Sequence, residues 1–231
     1  MALAPAYILP IAAYLIGSIP FGYLIARTKG IDIRTKGSGN IGATNVGRVL
    51  GRKWGFLCFF LDFLKGFVPA AACGVMLGRG YGAGLSGDQA TLLYLGTALC
   101  AVMGHMFPVW LKFKGGKGIA TGFGALLGVW PVFTIGAVIA IVTWVALVKV
   151  TRMVGISSVL AGVALAAWVV VSWLAPAPVQ EVLGRMSVYR QATWIEGVFA
   201  MLLCALVVYK HRGNIARTMA GTEPKIGRKV G

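Results

Sequence analysis

IATGFGALLGVWPVFTIGAVIAIVTWVALV, residues 119–148, carries no charged side chain. A helix needs about 20 predominantly apolar residues to cross the hydrocarbon core of a bilayer. Thirty are more than one upright span requires. Gly128, Trp130 and Pro131 interrupt the run, and a proline both removes a backbone donor and clashes with the preceding helical turn. The cluster predicts a tight turn between two shorter helices, at 119–130 and 131–149.

Outward from this stretch, further apolar runs lie at 4–26, 54–77, 90–108, 154–175 and 192–209. The expectation is an all-α integral membrane protein with seven transmembrane helices, forming a single domain over 1–231. Composition agrees. Of 231 residues, 58% are hydrophobic and 12% charged, against about 25% charged in soluble domains. The apolar run at the N-terminus continues through Ile25 with no positive region ahead of it, so it reads as a retained span.

Basic residues set the orientation. Arg27, Lys29, Arg34, Lys36, Arg48, Arg52 and Lys53 follow the first span, and Lys112, Lys114 and Lys117 the third. Lys149 and Arg152 follow the fifth, and Lys210, Arg212, Arg217, Lys225, Arg228 and Lys229 lie in the tail. With seven spans these 18 residues share one face, which the positive-inside rule makes cytoplasmic. The N-terminus is then outside and the C-terminus inside. Merging the fourth and fifth spans would scatter the basic groups over both faces. The other face holds Arg79, Arg185 and Arg190; residues 176–190 are expected there as an interfacial helix or ordered loop.

The net charge of +16 suits an anionic surface or substrate. Nucleic acid is not expected as a partner, because the charges punctuate apolar segments. Cys58, Cys73, Cys100 and Cys204 all lie in apolar runs without metal-ligand spacing and read as inert thiols. Neither a metal nor a cofactor is expected.

Three loops on the cytoplasmic face carry possible chemistry. The first reads GSGNIGATNVGR, residues 37–48. Gly37, Gly39 and Gly42 permit a nest of inward-turned N–H groups. Ser38, Asn40, Thr44 and Asn45 add neutral donors, and Arg48 can grip a phosphate as a fork. In the second, Lys114, Gly115, Gly116, Lys117 and Gly118 precede a span, as in a phosphate cradle capped by a helix N-terminus. A stop-transfer lysine cluster explains the lysines but not the glycines. The third begins KHRGNIAR, residues 210–217. If the last span continues as a helix, His211 and Asn214 face the same way. Within span two, Asp62 and Lys65 stand at i, i+3 and are expected to pair, since isolated ions in hydrocarbon are costly. Glu196 is expected to reach the outer interface. No serine-nucleophile motif is present, so the chemistry open to these loops is positioning and anion stabilisation.

GSGNIGATNVGR, GHMFPVWLKFKGGKGIATGFG and HRGNIARTMAGTE resemble, in order, the three cytoplasmic motifs of the bacterial acyl-phosphate:glycerol-3-phosphate acyltransferases of the PlsY type. GSIPFGYLIAR and DFLKG are also similar to that family, and the resemblance spans Gly17 to Glu223. It implies transfer of a fatty acyl group from long-chain acyl phosphate to the 1-hydroxyl of glycerol 3-phosphate. The enzyme is then a monomer in the bacterial inner membrane with its site at the cytoplasmic face. Ser38, Arg48, Lys117, His211 and Asn214 are implied as essential, and Gly115, Gly116 and Gly118 as donor-binding. Glu223 is implied as structural. Ile41, Gly47, Lys210 and Thr218 depart from the usual pattern without removing a residue assigned to chemistry. An anion transporter would need charges along a path through the bilayer, and beyond Asp62 and Lys65 the spans hold almost none.

Overall fold

The computed structural model describes residues 4–78, 85–176 and 192–225. Among them all regular structure is helical, in two compact units, Met1–Val129 and Trp130–Gly231. The segment 177–191, and with it most of the expected external loop, lies outside the described residues, as do Arg79, Arg228 and Lys229.

The first unit contains α1 (Ala4–Gly17), α2 (Phe21–Arg27), α3 (Ala43–Leu50), α4 (Arg52–Met76), α5 (Gly87–Met106) and α6 (Ile119–Leu127), with single 3-10 turns at Ile33–Thr35 and Val109–Leu111. The first apolar run is one span by length, interrupted at Ser18–Pro20. Lipid tails are as apolar as leucine, so helices in a bilayer associate through close packing of small residues. That is how α4 meets α6: a Cβ at Gly66 would overlap the Thr121 carbonyl, and one at Gly124 the Phe63 carbonyl. Gly17 and Gly104 bring α1 against α5 in the same way.

The second unit contains α7 (Val132–Thr151), α8 (Val154–Leu174), α9 (Trp194–Lys210) and α10 (Arg212–Met219). Arg152, in the left-handed region at φ 59°, turns the chain between α7 and α8. Trp168 Nε1 donates to the Val132 carbonyl at 3.2 Å, and Phe133 meets Phe199 edge to face.

Two expectations change. Glu196 does not reach the interface; it is buried, and its carboxylate accepts the Thr193 N–H at 2.8 Å in a capping box at the start of α9. The carboxylate satisfies a helix terminus that hydrocarbon cannot. Nor does the last span run straight past His211, because α9 and α10 meet there at 58°. The run 119–148 does divide near Pro131, but α6 has nine residues. At 1.5 Å per residue that is about 14 Å, half a bilayer core. Among the described residues five helices are long and apolar enough to cross, or six counting the bent α9–α10 pair.

Gly66→Leu is expected to lower the thermal unfolding temperature in detergent by several degrees, since overpacking costs about 1–3 kcal/mol or more. Gly96→Ala, where an added Cβ meets nothing within 4 Å, is expected to leave it unchanged. Differential scanning fluorimetry of the two variants checks this.

Candidate functional site

The loop after α2 is organised by one side chain. Asn45, at the start of α3, is buried. Its Oδ1 accepts the Ser38 N–H at 2.9 Å, while Nδ2 donates to the carbonyls of Lys36 and Asn40 at 3.0 and 2.9 Å. Asn40 Oδ1 accepts the Gly42 N–H at 2.8 Å. Gly37 and Gly39 adopt φ of 59° and 70°, which side chains rarely tolerate, and a Cβ at Gly37 would overlap Asn45 Oδ1. The loop therefore closes around Asn45, leaving Ser38, Thr44 and Arg48 exposed. Asn45 spends its amide on the loop itself, as scaffold. Upstream, the Arg34 guanidinium hydrogen-bonds the exposed Asp32 carboxylate at 2.6 Å and pulls its pKa down to about 2. Arg27 and Arg34 both lie over the Tyr23 ring, and Lys29 over Trp54.

The second loop adjoins the first. Leu111 packs in one apolar cluster with Ile33, Ile41, Val46 and Cys58. Beyond it the chain folds back on the end of α5: the Gly115 N–H donates to the Met106 carbonyl at 3.2 Å and the Gly116 N–H to the His105 carbonyl at 3.1 Å. These two amides, expected to face an anion, are held by backbone; what the glycines supply is close approach. Gly118 is the N-cap of α6 at φ 78°. Glycine offers no side-chain acceptor to the first N–H groups of α6. Lys117 is half-buried beside it and Lys114 is exposed.

Behind this segment lies a group of charges. Asp62 and Lys65 pair as expected, at 2.7 Å and both buried, and Lys65 Nζ donates to the Ile19 carbonyl at 2.7 Å. His105 Nδ1 lies 3.5 Å from Asp62 Oδ1, and a Cβ at Gly116 would overlap His105 Nε2. No sequence motif gives His105 a role. Its one local signal was a histidine beside Gly104, too weak to separate from packing.

The third segment belongs to the second unit. His211 is buried at the α9–α10 bend and its Nδ1 lies 2.9 Å from the Val207 carbonyl. A carbonyl only accepts, so Nδ1 carries the hydrogen in this contact. Asn214 Nδ2 donates to Glu223 Oε1 at 2.6 Å, and Arg217 Nε to Glu223 Oε2 at 2.9 Å. Glu223 thus joins the tail to α10, and Gly155 of α8 sits against the Asn214 amide.

A family model described as glycerol-3-phosphate acyltransferase matches residues 7–221. The glycerol-3-phosphate acyltransferase of Desulforamulus reducens is 40% identical, over 95% of this chain and 94% of its own. That of Aquifex aeolicus is 39% identical, over 94% and 97%. A crystal structure of PlsY, an integral membrane glycerol 3-phosphate acyltransferase, in its glycerol 3-phosphate form superposes with a TM-score of 0.76 at 37% identity over 96% of each chain. Its lysophosphatidic acid form gives 0.73 at 36%, over 96% of each.

Asn45→Ala removes the side-chain contacts to Lys36, Ser38 and Asn40 at once and is expected to cost about 1–3 kcal/mol of local order. Tryptic cleavage after Lys36 should quicken at least tenfold relative to Thr44→Ala.

Proposed function

The chain belongs to the glycerol-3-phosphate acyltransferase family of integral membrane proteins, and from that premise we propose that it uses acyl phosphate as donor and acylates the 1-hydroxyl of glycerol 3-phosphate. Lysophosphatidic acid and phosphate are the products. The observation that carries this reading is the pairing of two loops. A glycine-turned loop presenting Ser38 and Arg48 shares an apolar cluster with the loop that leads to Lys117 and the uncapped start of α6. Two phosphorylated substrates, one an acyl phosphate and one a phosphoester, need this kind of surface: fixed cations, helix-terminal N–H groups and little acidic repulsion.

In the proposed reaction Arg48, Lys117 and Lys114 neutralise phosphate charge. Ser38 and neighbouring groups of the first loop, with Gly39, Asn40, Gly42 and Thr44 shaping it, orient the acyl phosphate and stabilise the oxyanion. Asn45 holds that loop closed. Gly115, Gly116 and Gly118 place Lys117 for the donor. His211 and Asn214 hold glycerol 3-phosphate, with Glu223 fixing Asn214. The 1-hydroxyl oxygen attacks the acyl carbonyl carbon, and the bond from that carbon to the phosphate oxygen breaks. The hydroxyl proton passes to a phosphate oxygen of the departing donor. No protein nucleophile takes part. The base is assigned to the donor and not to His211 on proximity: phosphate leaves beside the reacting oxygen.

The same reading includes seven crossings, outside N-terminus, and a cytoplasmic site in a monomer of the bacterial inner membrane. The fourth crossing is short. Its helix, α6, is packed on α4. Irregular backbone is tolerated at such depth where protein covers it. It also gathers the basic loops on one face.

Purified protein in detergent should release phosphate from acyl phosphate and glycerol 3-phosphate, with acyl-CoA and acyl-carrier protein inactive as donors. Ser38→Ala, Arg48→Ala and Lys117→Ala should each lower kcat/KM by about 100-fold or more. His211→Gln should raise the glycerol 3-phosphate KM while sparing kcat; a collapsed kcat with normal binding makes His211 the base. A membrane-impermeant thiol reagent should reach Ser38→Cys and Lys117→Cys only from the cytoplasmic side, in a background lacking the native cysteines.

A further inference from the structure

The buried charges of α4 lie outside the three loops, yet they stand directly behind the second. Asp62 and Lys65 are 2% exposed and 2.7 Å apart. Lys65 reaches the Ile19 carbonyl, where the break between α1 and α2 leaves that oxygen outside the helical ladder. Asp62 faces His105 at the last turn of α5, with the Cys58 thiol 3.6 Å from its other oxygen. His105 then holds the glycine segment twice, through its carbonyl to the Gly116 N–H and through its ring edge where a Gly116 side chain would stand. The same stretch of α4 also grips the helix that follows: Phe63 and Gly66 are the close contacts of Gly124 and Thr121.

A charge group in hydrocarbon is costly and is retained where it fixes something. Here it fixes the distance between α4, the end of α5 and the segment 114–118. We propose that Asp62 and Lys65, acting through His105, are positioning residues for the GGKG segment, and that they set its affinity for the acyl-phosphate donor. The proposal rests on the donor reading above and adds residues that touch no substrate. Asp62 and Lys65 set the ring, the ring and carbonyl of His105 set Gly116, and Gly116 sets Lys117 and the start of α6.

The test uses size complementation in the full-length protein. Gly116→Ala drives a methyl into the His105 ring and should lower acyl transfer at least tenfold. Combining it with His105→Ala opens that space and should recover a large part of the loss, a coupling that independent sites do not show. His105→Ala alone should raise the KM for acyl phosphate about tenfold while leaving that for glycerol 3-phosphate within twofold, and His105→Gln should restore part of it. Asp62→Asn should do the same. Should it fail to fold with Lys65 left unpaired, the His105 and Gly116 variants keep the ion pair intact and decide the matter. Amide exchange across 114–118 is measured in parallel and should quicken in His105→Ala. Additive losses in the double variant, or unchanged KM and exchange in a folded His105→Ala, overturn the proposal. If wild type turns over no acyl phosphate, the donor reading fails, and the exchange result still decides whether His105 holds the segment.

Discussion

A lysine and an aspartate 2.7 Å apart inside a membrane helix set the terms for the first unit. On insertion scales an ionised side chain at mid-bilayer costs about 2.5–3.5 kcal/mol, and removing one member of a buried pair leaves the other uncompensated. Once paired, the two charges still have hydrogen-bonding capacity to place. Lys65 uses it on the Ile19 carbonyl, at the interruption between α1 and α2. Asp62 uses it on the Cys58 thiol at 3.6 Å and stands 3.5 Å from the His105 ring at the end of α5. Four helical segments are thereby tied at one level, and Gly66 and Gly124 allow α6 to join them.

The loops follow a second constraint, that backbone polar groups at the membrane surface be satisfied before they can serve a ligand. In the first loop Asn45 does this from inside, taking one N–H and two nearby carbonyls. In the second the end of α5 does it, taking the Gly115 and Gly116 amides. In the third Glu223 holds Asn214 and Arg217 together. Each loop is rigid for its own local reason, and rigidity is what a reaction driven by positioning requires. Side chains left facing outward from the first two loops include Ser38, Thr44, Arg48 and Lys114. In the proposed reaction that division separates Asn45, Gly116 and Glu223, which hold the frame, from Ser38, Arg48 and Lys117, which meet phosphate.

Such a site needs little acid–base machinery of its own. Acyl phosphate is already activated, and its leaving group can carry away the hydroxyl proton under the mechanism proposed. The protein's share is then charge and geometry, consistent with its scarcity of acids: 6 against 22 basic residues. Of those acids Asp62, Glu196 and Glu223 are buried and Asp32 is paired with Arg34. Little negative charge is left to compete with phosphate for the loop cations.

Read by itself, the amino-acid chain determined the membrane class, the helical segments to within a few residues, the break near Pro131, the Asp62–Lys65 pairing and the three loops. Hydropathy, turn-forming residues and i, i+3 spacing are local properties, legible in a window of 20 residues. What the tertiary structure decided was which atom each polar group answers. Ile19 is 46 residues from the lysine that caps it, and no periodicity links Gly116 to the ring of His105 eleven positions earlier. Asn45 looked like one donor among several until its burial made it the loop's core, and Glu196 looked interfacial until a helix end claimed it. The bend at His211 and the shortness of α6 belong to the same class. Hydropathy marks where an apolar run lies and not where its helix bends or stops, and contacts between distant residues exist only once the helices have packed.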